Sequence, residues 1–258
     1  MRIRVLGCGG SIGIPGEGTT SFLLDEDVLI DAGTGVCNMG MGELEKIEHV
    51  FLTHSHLDHI CALPFLIDTV GVMRARPLTV YASAATIDTL KRHIFNNAIW
   101  PDFTRIPTPE KGVMRYQEIH SEQPVVLGGR EILPVEVEHT VHAFGFLAHN
   151  GGQRWAFSGD THRTDRFYEL INSFGNVSRL FIEAAFPDKE EWIADLSKHL
   201  CPNLLFDELK KLDPACEVWI SHLKPKDHQI IRQQLLQPAS DDVSHRVQLL
   251  AAGMAFDF

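Results

Sequence analysis

Thr53-His54-Ser55-His56-Leu57-Asp58-His59 places three imidazoles and one carboxylate within the six residues 54 to 59. A short apolar run, Val50 to Leu52, precedes it and reads as a strand, and Ile60 to Val70 after it reads as a helix or helical turn. The cluster therefore sits on a loop at the end of a strand. Two histidines one residue apart on a strand or tight loop point the same way, so His54 and His56 converge on one ion, while Asp58 and His59 reach past the bend toward a second. A lone His-x-His is usually a surface accident, but buried ionisable groups are costly without partners, so the whole string argues for metal binding.

A catalytic zinc takes three protein ligands and leaves a position for water, so each ion needs help from elsewhere in the chain. Asp160, in Ser158-Gly159-Asp160-Thr161, and His222, in Ile220-Ser221-His222, each follow an apolar strand-like run. Such strand ends are where polar site residues gather in α/β sheets. His139, after Val135-Glu136-Val137, is preferred as the further ligand of the first ion, and His142 competes with it three residues later. His162 stands two residues after Asp160 and carries no firm role. His49, His93, His120, His149, His228 and His245 have no spacing that asks for metal.

At 258 residues, with 44% hydrophobic and 22% charged content, the chain reads as one domain over residues 1–258, and no apolar run is long enough to cross a bilayer. Met-Arg-Ile-Arg-Val-Leu-Gly goes straight into a strand pattern and not into a secretory signal, so the expected location is cytoplasmic. The five cysteines, Cys8, Cys37, Cys61, Cys201 and Cys216, are odd in number and form no Cys-x-x-Cys pair. They predict buried thiols and neither disulfides nor a thiolate zinc site. A net charge of −11 disfavours long nucleic acid, although a metal centre supplies positive charge of its own for a small anion.

The remaining pattern predicts strands at Ile3 to Leu6, a hairpin of Ser21 to Leu24 with Val28 to Ile30, and strands near Leu78 to Tyr81, Glu131 to Val137, Gly145 to Ala148, Arg154 to Ser158, Leu180 to Glu183 and Val218 to Ile220. Helices are expected over Thr86 to Phe95, Asp165 to Ser173, Asn203 to Leu212 and Gln229 to Leu236, with Trp100 to Gln123 irregular. Early strands followed by alternating strands and helices suit two sheets packed face to face with helices outside.

With Asp31 in Leu29-Ile30-Asp31-Ala32-Gly33, the His-x-His-x-Asp-His string, His139, Asp160 and His222, the chain resembles the metallo-β-lactamase superfamily along nearly its whole length. The resemblance implies an α/β (α+β) fold, a four-layer αββα sandwich with two metal ions at one edge, zinc first and manganese or iron as alternatives. It implies that His54, His56 and His139 hold one ion, that Asp58, His59 and His222 hold the other, and that Asp160 bridges them. Asp31 would orient a ligand histidine, its alternative being a plain turn carboxylate. Within the superfamily the chain is most similar to class II cyclic nucleotide phosphodiesterases, through His56-Leu57-Asp58-His59, Ser221-His222-Leu223-Lys224-Pro225, Ile182 to Pro187 and Ser197 to Pro202. Ala185 and Cys201 depart from that pattern, where Ser and Thr are expected.

The implied activity is a dinuclear metal-dependent hydrolase cleaving a cyclic or other small nucleotide by attack of metal-bound hydroxide. Asp58 would orient the nucleophile, and His199, helped by Glu183, would protonate the leaving oxygen. The tRNA 3′-end-processing endonucleases share the His cluster and a Glu/His pair, but carry a tRNA-binding arm between the third metal histidine and the bridging Asp. Here only 21 residues separate His139 from Asp160, so an endoribonuclease is the alternative, beside a lactone or thioester hydrolase or a redox di-iron site. Expected partners are a small phosphodiester substrate and a second copy in a homodimer, with no long nucleic acid and no membrane. Trp100 and Phe103 read either as a lid over a nucleobase or as core, and Arg105 or Lys224 as a phosphate contact.

Overall fold

The computed structural model of the chain describes residues 1–71, 74–152, 154–175, 177–238 and 247–258. His245 lies outside them. The first sheet begins with Arg2–Gly7 (β1) and the hairpin Ser21–Leu24 (β2) and Val28–Ile30 (β3), whose turn places Asp25 in the left-handed region at φ 52°. His49–Phe51 (β4), Leu78–Ala82 (β5) and Met114–Glu118 (β6) then add on in parallel.

The second sheet comprises Val125–Leu127 (β7), Arg130–Val137 (β8), Ala143–His149 (β9), Arg154–Phe157 (β10), Val177–Glu183 (β11), Glu217–Ser221 (β12) and Val247–Leu249 (β13). Ala255–Asp257 (β14) returns to pair with β1. Among the described residues the two sheets have seven strands each, in the orders β14-β1-β2-β3-β4-β5-β6 and β13-β12-β11-β10-β9-β8-β7.

Both sheets change from antiparallel to parallel pairing, the first at β3 and the second at β10. This shared topology positions the site. Asp31 follows β3, the histidine string follows β4, Asp160 follows β10, Glu183 ends β11 and His222 follows β12. Polar groups thus collect at the carboxyl ends of neighbouring parallel strands, where helix-capped sheets open to ligand.

Three apolar layers account for the architecture. Between the sheets, Phe22, Phe51, Phe146, Trp155 and Phe181 are fully buried, and Phe22 meets Phe157 edge-on with ring centroids 4.9 Å apart. Edge-to-face rings add to the burial energy of such large side chains. Outside the first sheet, the helix Leu63–Val70 buries Leu63, Leu66, Ile67 and Val70. Outside the second, Asp165–Phe174, Pro202–Leu209 and His228–Leu236 cover Leu180, Ile182 and Val218. The order is helix, sheet, sheet, helix, the αββα sandwich expected from the sequence.

Several local expectations need correction. The segment from Trp100 to Gln123 is not wholly irregular, because Met114–Glu118 forms an edge strand. Its Arg115, Gln117 and Glu118 face outward and hide the apolar alternation on which strand reading depends. The helix expected over Thr86 to Phe95 is α-helical at Ala84–Thr89 and continues as a π-helical turn at Leu90–Ile94. Three-residue edge strands β7, β13 and β14 carry too little pattern to be seen in advance. Cys8, Cys201 and Cys216 are buried thiols as expected, but Cys37 is exposed and Cys61 half-buried. Among the described residues no helix is long and apolar enough to cross a membrane.

Candidate metal centre

The floor of the site is Asp31. Its φ of 56° turns the chain sharply after β3, and its amide donates to Phe51 O at 2.8 Å. The fully buried carboxylate then accepts from Thr53 N and Thr53 Oγ1, each at 2.8 Å, and from His59 Nδ1 at 2.7 Å. Burial pushes the Asp31 carboxyl above its ordinary range, against the pull of His59 and Thr53. The bond holds Nδ1 of His59 against Asp31 and leaves Nε2 facing the centre, the way an outer carboxylate orients a ligand histidine. Although burial works against it, Asp160 and Asp31 raise the ring's pKa well above its ordinary value, so an ion binding at Nε2 would displace a proton. Thr53 Oγ1 also lies 2.9 Å from His54 Nδ1, so one hydroxyl steadies a second ring.

Around this floor the fold draws together the residues singled out in the sequence. Ligand-type atoms of His54, His56, His139 and Asp160 lie within 4.8 Å of one another, as do those of Asp58, His59 and His222, and those of Asp160, His199 and His222. Asp160 is central. Its Oδ2 is 3.3 Å from His59 Nε2 and 3.7 Å from His54 Nε2, and its Oδ1 is 3.1 Å from His222 Nδ1. His139 Nε2 is 3.2 Å from His56 Nδ1, and His222 Nε2 is 3.8 Å from Asp58 Oδ2. His54, His59, Asp160 and His222 are buried, while His56, Asp58 and His139 are half-buried and form the side open to solvent.

These residues fit divalent metal ions. The Nε2 atoms of His54 and His59 are buried without a hydrogen-bond partner, which would be costly if nothing were ever to meet them. Ligands about 2.0–2.2 Å from a tetrahedral ion stand about 3.3–3.6 Å from each other. The spacings of 3.1 to 3.8 Å around the centre bracket that range. Burial pulls His54 well below its ordinary value and His222 down to about 4, keeping the neutral rings that metal binding requires. Asp160 is held well below the carboxylate range, since His222 and His59 outweigh its burial.

Beside the cluster stands a second pair. Glu183, fully buried, accepts from Thr161 N at 2.9 Å, from Leu200 N at 3.2 Å and from His199 Nδ1 at 2.7 Å. Burial depresses the His199 ring, but the Glu183 charge and hydrogen bond more than offset it, so its pKa is raised and its Nε2 can keep a proton near neutrality. The ring stacks on His222 at 5.3 Å and meets His139 edge-on at 5.0 Å.

Other expected residues fall elsewhere. His142 is exposed, with Nε2 3.6 Å from Glu136, and does not join the cluster. His162 lies behind the site, its Nδ1 donating to His199 O at 2.8 Å and its Nε2 3.2 Å from Asp195. Trp100 and Phe103 pack into the outer layer of the first sheet, so the lid reading gives way to core, and Arg105 is exposed.

Four contributors went unread in the sequence. Lys198 O receives His139 Nδ1 at 2.9 Å and so presents Nε2 to the centre. Ser11 N donates to Asp58 Oδ2 at 2.8 Å, Thr53 steadies the floor, and Gly10 lies against His222. Backbone partners carry no side-chain signal, and only the glycine richness of residues 7–18 hinted at a close approach.

Two predictions arise from this geometry. Asp31→Asn places an amide where Thr53 and His59 both donate. Metal affinity, measured by competition with a chromogenic chelator, is expected to fall about 10–100-fold with the fold retained. A Cβ at Gly10 would stand 2.7 Å from His222 Cδ2 and from His222 O. Gly10→Ala should therefore displace that ring and lower turnover about 100-fold, with unchanged circular dichroism.

Comparison with known proteins agrees with the geometry. A family model described as "Beta-lactamase superfamily domain" matches residues 26–225. A probable 3′,5′-cyclic-nucleotide phosphodiesterase of Yersinia pestis is 29% identical over 214 residues, covering 72% of this chain and 59% of that protein. A ribonuclease Z of Haloarcula marismortui is 28% identical over 165 residues, covering 61% of this chain and 50% of that protein. The chain thus spans between half and three-fifths of the length of these two relatives. Among solved structures, unliganded yeast PDE1 superimposes with a TM-score of 0.81 at 17% identity, covering 98% of both chains, which shows a common fold.

Proposed function

Because the chain belongs to the beta-lactamase superfamily, we propose that it is a single-domain, dinuclear metal-dependent phosphodiesterase acting on a cyclic or other small nucleotide. The observation that carries the reading is the central position of Asp160, whose oxygens lie 3.7, 3.3 and 3.1 Å from His54, His59 and His222, with the Glu183–His199 pair alongside. His54, His56 and His139 would hold one ion and Asp58, His59 and His222 the other, with Asp160 between them. Zinc suits so imidazole-rich a set, with manganese or iron as alternatives. Bound there, the ions supply Lewis-acid polarisation of a phosphoryl oxygen and lower the pKa of water to about 7.

The chain's own groups do the rest. Asp58, half-buried and held by Ser11 N, accepts a hydrogen bond from the attacking water and aims its lone pair in line with the scissile bond. His199 Nε2 gives its proton to the departing oxygen, and Glu183 steadies the resulting ring through Nδ1. Of the relatives, the phosphodiesterases are preferred over ribonuclease Z for this chain. The 21-residue interval from His139 to Asp160 is largely taken up by the β9–β10 hairpin, which leaves no arm for tRNA, and the net charge is −11.

The test is a side-by-side assay of metal-loaded protein, with and without chelator, on bis-p-nitrophenyl phosphate, cyclic AMP, a tRNA precursor, a lactone and a thioester. Chelator-sensitive cleavage confined to the first two is expected. Activity confined to any of the others would overturn the reading.

A further inference from the structure

Beyond the metal cradle and the Glu183–His199 pair, the wall of the site carries a cation with no ion-pair partner among the described residues. The segments after β11 and β12 run side by side, Ala184 N donating to Ser221 O at 3.1 Å and Lys224 N to Ala185 O at 3.4 Å. This brings Lys224, two residues beyond His222, against Phe186, with its Nζ 4.8 Å from the ring centroid. The Phe186 ring in turn meets His199 at 5.7 Å, so Lys224, Phe186 and His199 line one side of the centre.

Neighbouring lysines are all neutralised. Lys189 pairs with Asp227 at 3.4 Å, Lys198 with Glu138 at 3.3 Å and Lys226 with Glu190 at 3.3 Å. Among the described residues Lys224 forms no ion pair, although acidic groups outnumber basic ones by eleven in the chain. A half-buried ammonium, resting on an aromatic face and facing no carboxylate, is held ready for an anion that arrives from outside.

We infer that Lys224, supported by Phe186, forms an anion-binding subsite on the leaving-group side of the centre, where it holds a negatively charged phosphate oxygen of the substrate against His199. The ligand class is a phosphate ester that still carries negative charge, such as a nucleotide. A neutral ester of the same shape gains nothing from the subsite. The inference rests on the phosphodiesterase reading, but its test includes binding of a product that needs no turnover.

Lys224→Met keeps the apolar stem on Phe186 and removes only the charge, and Lys224→Arg restores it. Two readouts are compared in metal-loaded protein with metal content checked in each variant. The first is KM and kcat on bis-p-nitrophenyl phosphate, an anion, and on a neutral p-nitrophenyl phosphotriester. The second is calorimetric affinity for AMP. Lys224→Met is expected to raise the KM for the anion and weaken AMP about 10–100-fold, as for loss of a hydrogen bond to a charged group, with Lys224→Arg recovering most of both. The triester should change by less than about twofold, since it offers no charge to lose. Unchanged AMP affinity in Lys224→Met, or equal losses on anionic and neutral esters, would overturn the inference. If the wild type cleaves no diester at all, the phosphodiesterase reading falls, while Lys224-dependent AMP binding still supports the subsite and its absence rejects it.

Discussion

Replacing Asp160 with alanine is expected to empty the centre and to lower hydrolysis at least about 1,000-fold, equivalent to losing about 4 kcal/mol of transition-state stabilisation. The size follows from its position. Its two oxygens lie within 3.7 Å of ring nitrogens on His54, His59 and His222, so it faces histidines of both proposed ligand sets, and among the described residues no other carboxylate pairs with all three. Without it, His54 and His59 lose the negative charge that faces their buried Nε2 atoms, and two ions would repel each other with nothing between them. Metal stoichiometry by elemental analysis should fall from two per chain toward zero, with the thermal transition still cooperative. An Asp160→Ala protein that retained both ions would refute the bridging role.

The second large effect is expected at His199. His199→Ala should lower turnover of a poor leaving group about 100–10,000-fold while metal content stays unchanged. Its Nδ1 is committed to Glu183 at 2.7 Å, leaving only Nε2 to face the substrate. Because Glu183 raises the ring's pKa, the wild type should keep its proton donor through neutrality and lose rate on the alkaline side as that proton is lost. The variant should lack this alkaline limb. A substrate whose leaving group is already a good anion, such as p-nitrophenolate, should be much less affected, because it needs no proton. Loss of metal together with activity would instead make His199 a ligand, an outcome allowed by its grouping with Asp160 and His222.

Much of the centre was legible because ligands cluster locally. His54, His56, Asp58 and His59 lie in one loop, and their spacing alone implies convergence. Asp160 and His222 were legible for a different reason, since each ends an apolar strand, and strand ends are where polar groups can be exposed without breaking a sheet. Resemblance assigned the partition between ions and pointed to Glu183 and His199, which lie 16 residues apart and carry no spacing that pairs them. The fold was legible in outline from hydrophobic runs such as Leu78 to Tyr81 and Leu180 to Glu183. It was illegible at β6, where an edge strand exposes polar side chains, and at the three-residue edge strands β7, β13 and β14.

The sequence by itself determined the chemistry available, because the kinds and local spacing of donor atoms are written in order along the chain. Only the tertiary structure brings His139, and not His142, into the cluster. Three residues in sequence become the difference between a ring whose Nδ1 is held by Lys198 O and one that faces solvent beside Glu136. The same holds for Trp100, half-buried against the outer layer of the first sheet and edge-on to Phe65, for Gly10 beneath His222, and for Lys224, which has no ion-pair partner among the described residues. Each depends on contacts between residues far apart in the chain, and such contacts exist only once two sheets and their helices have packed.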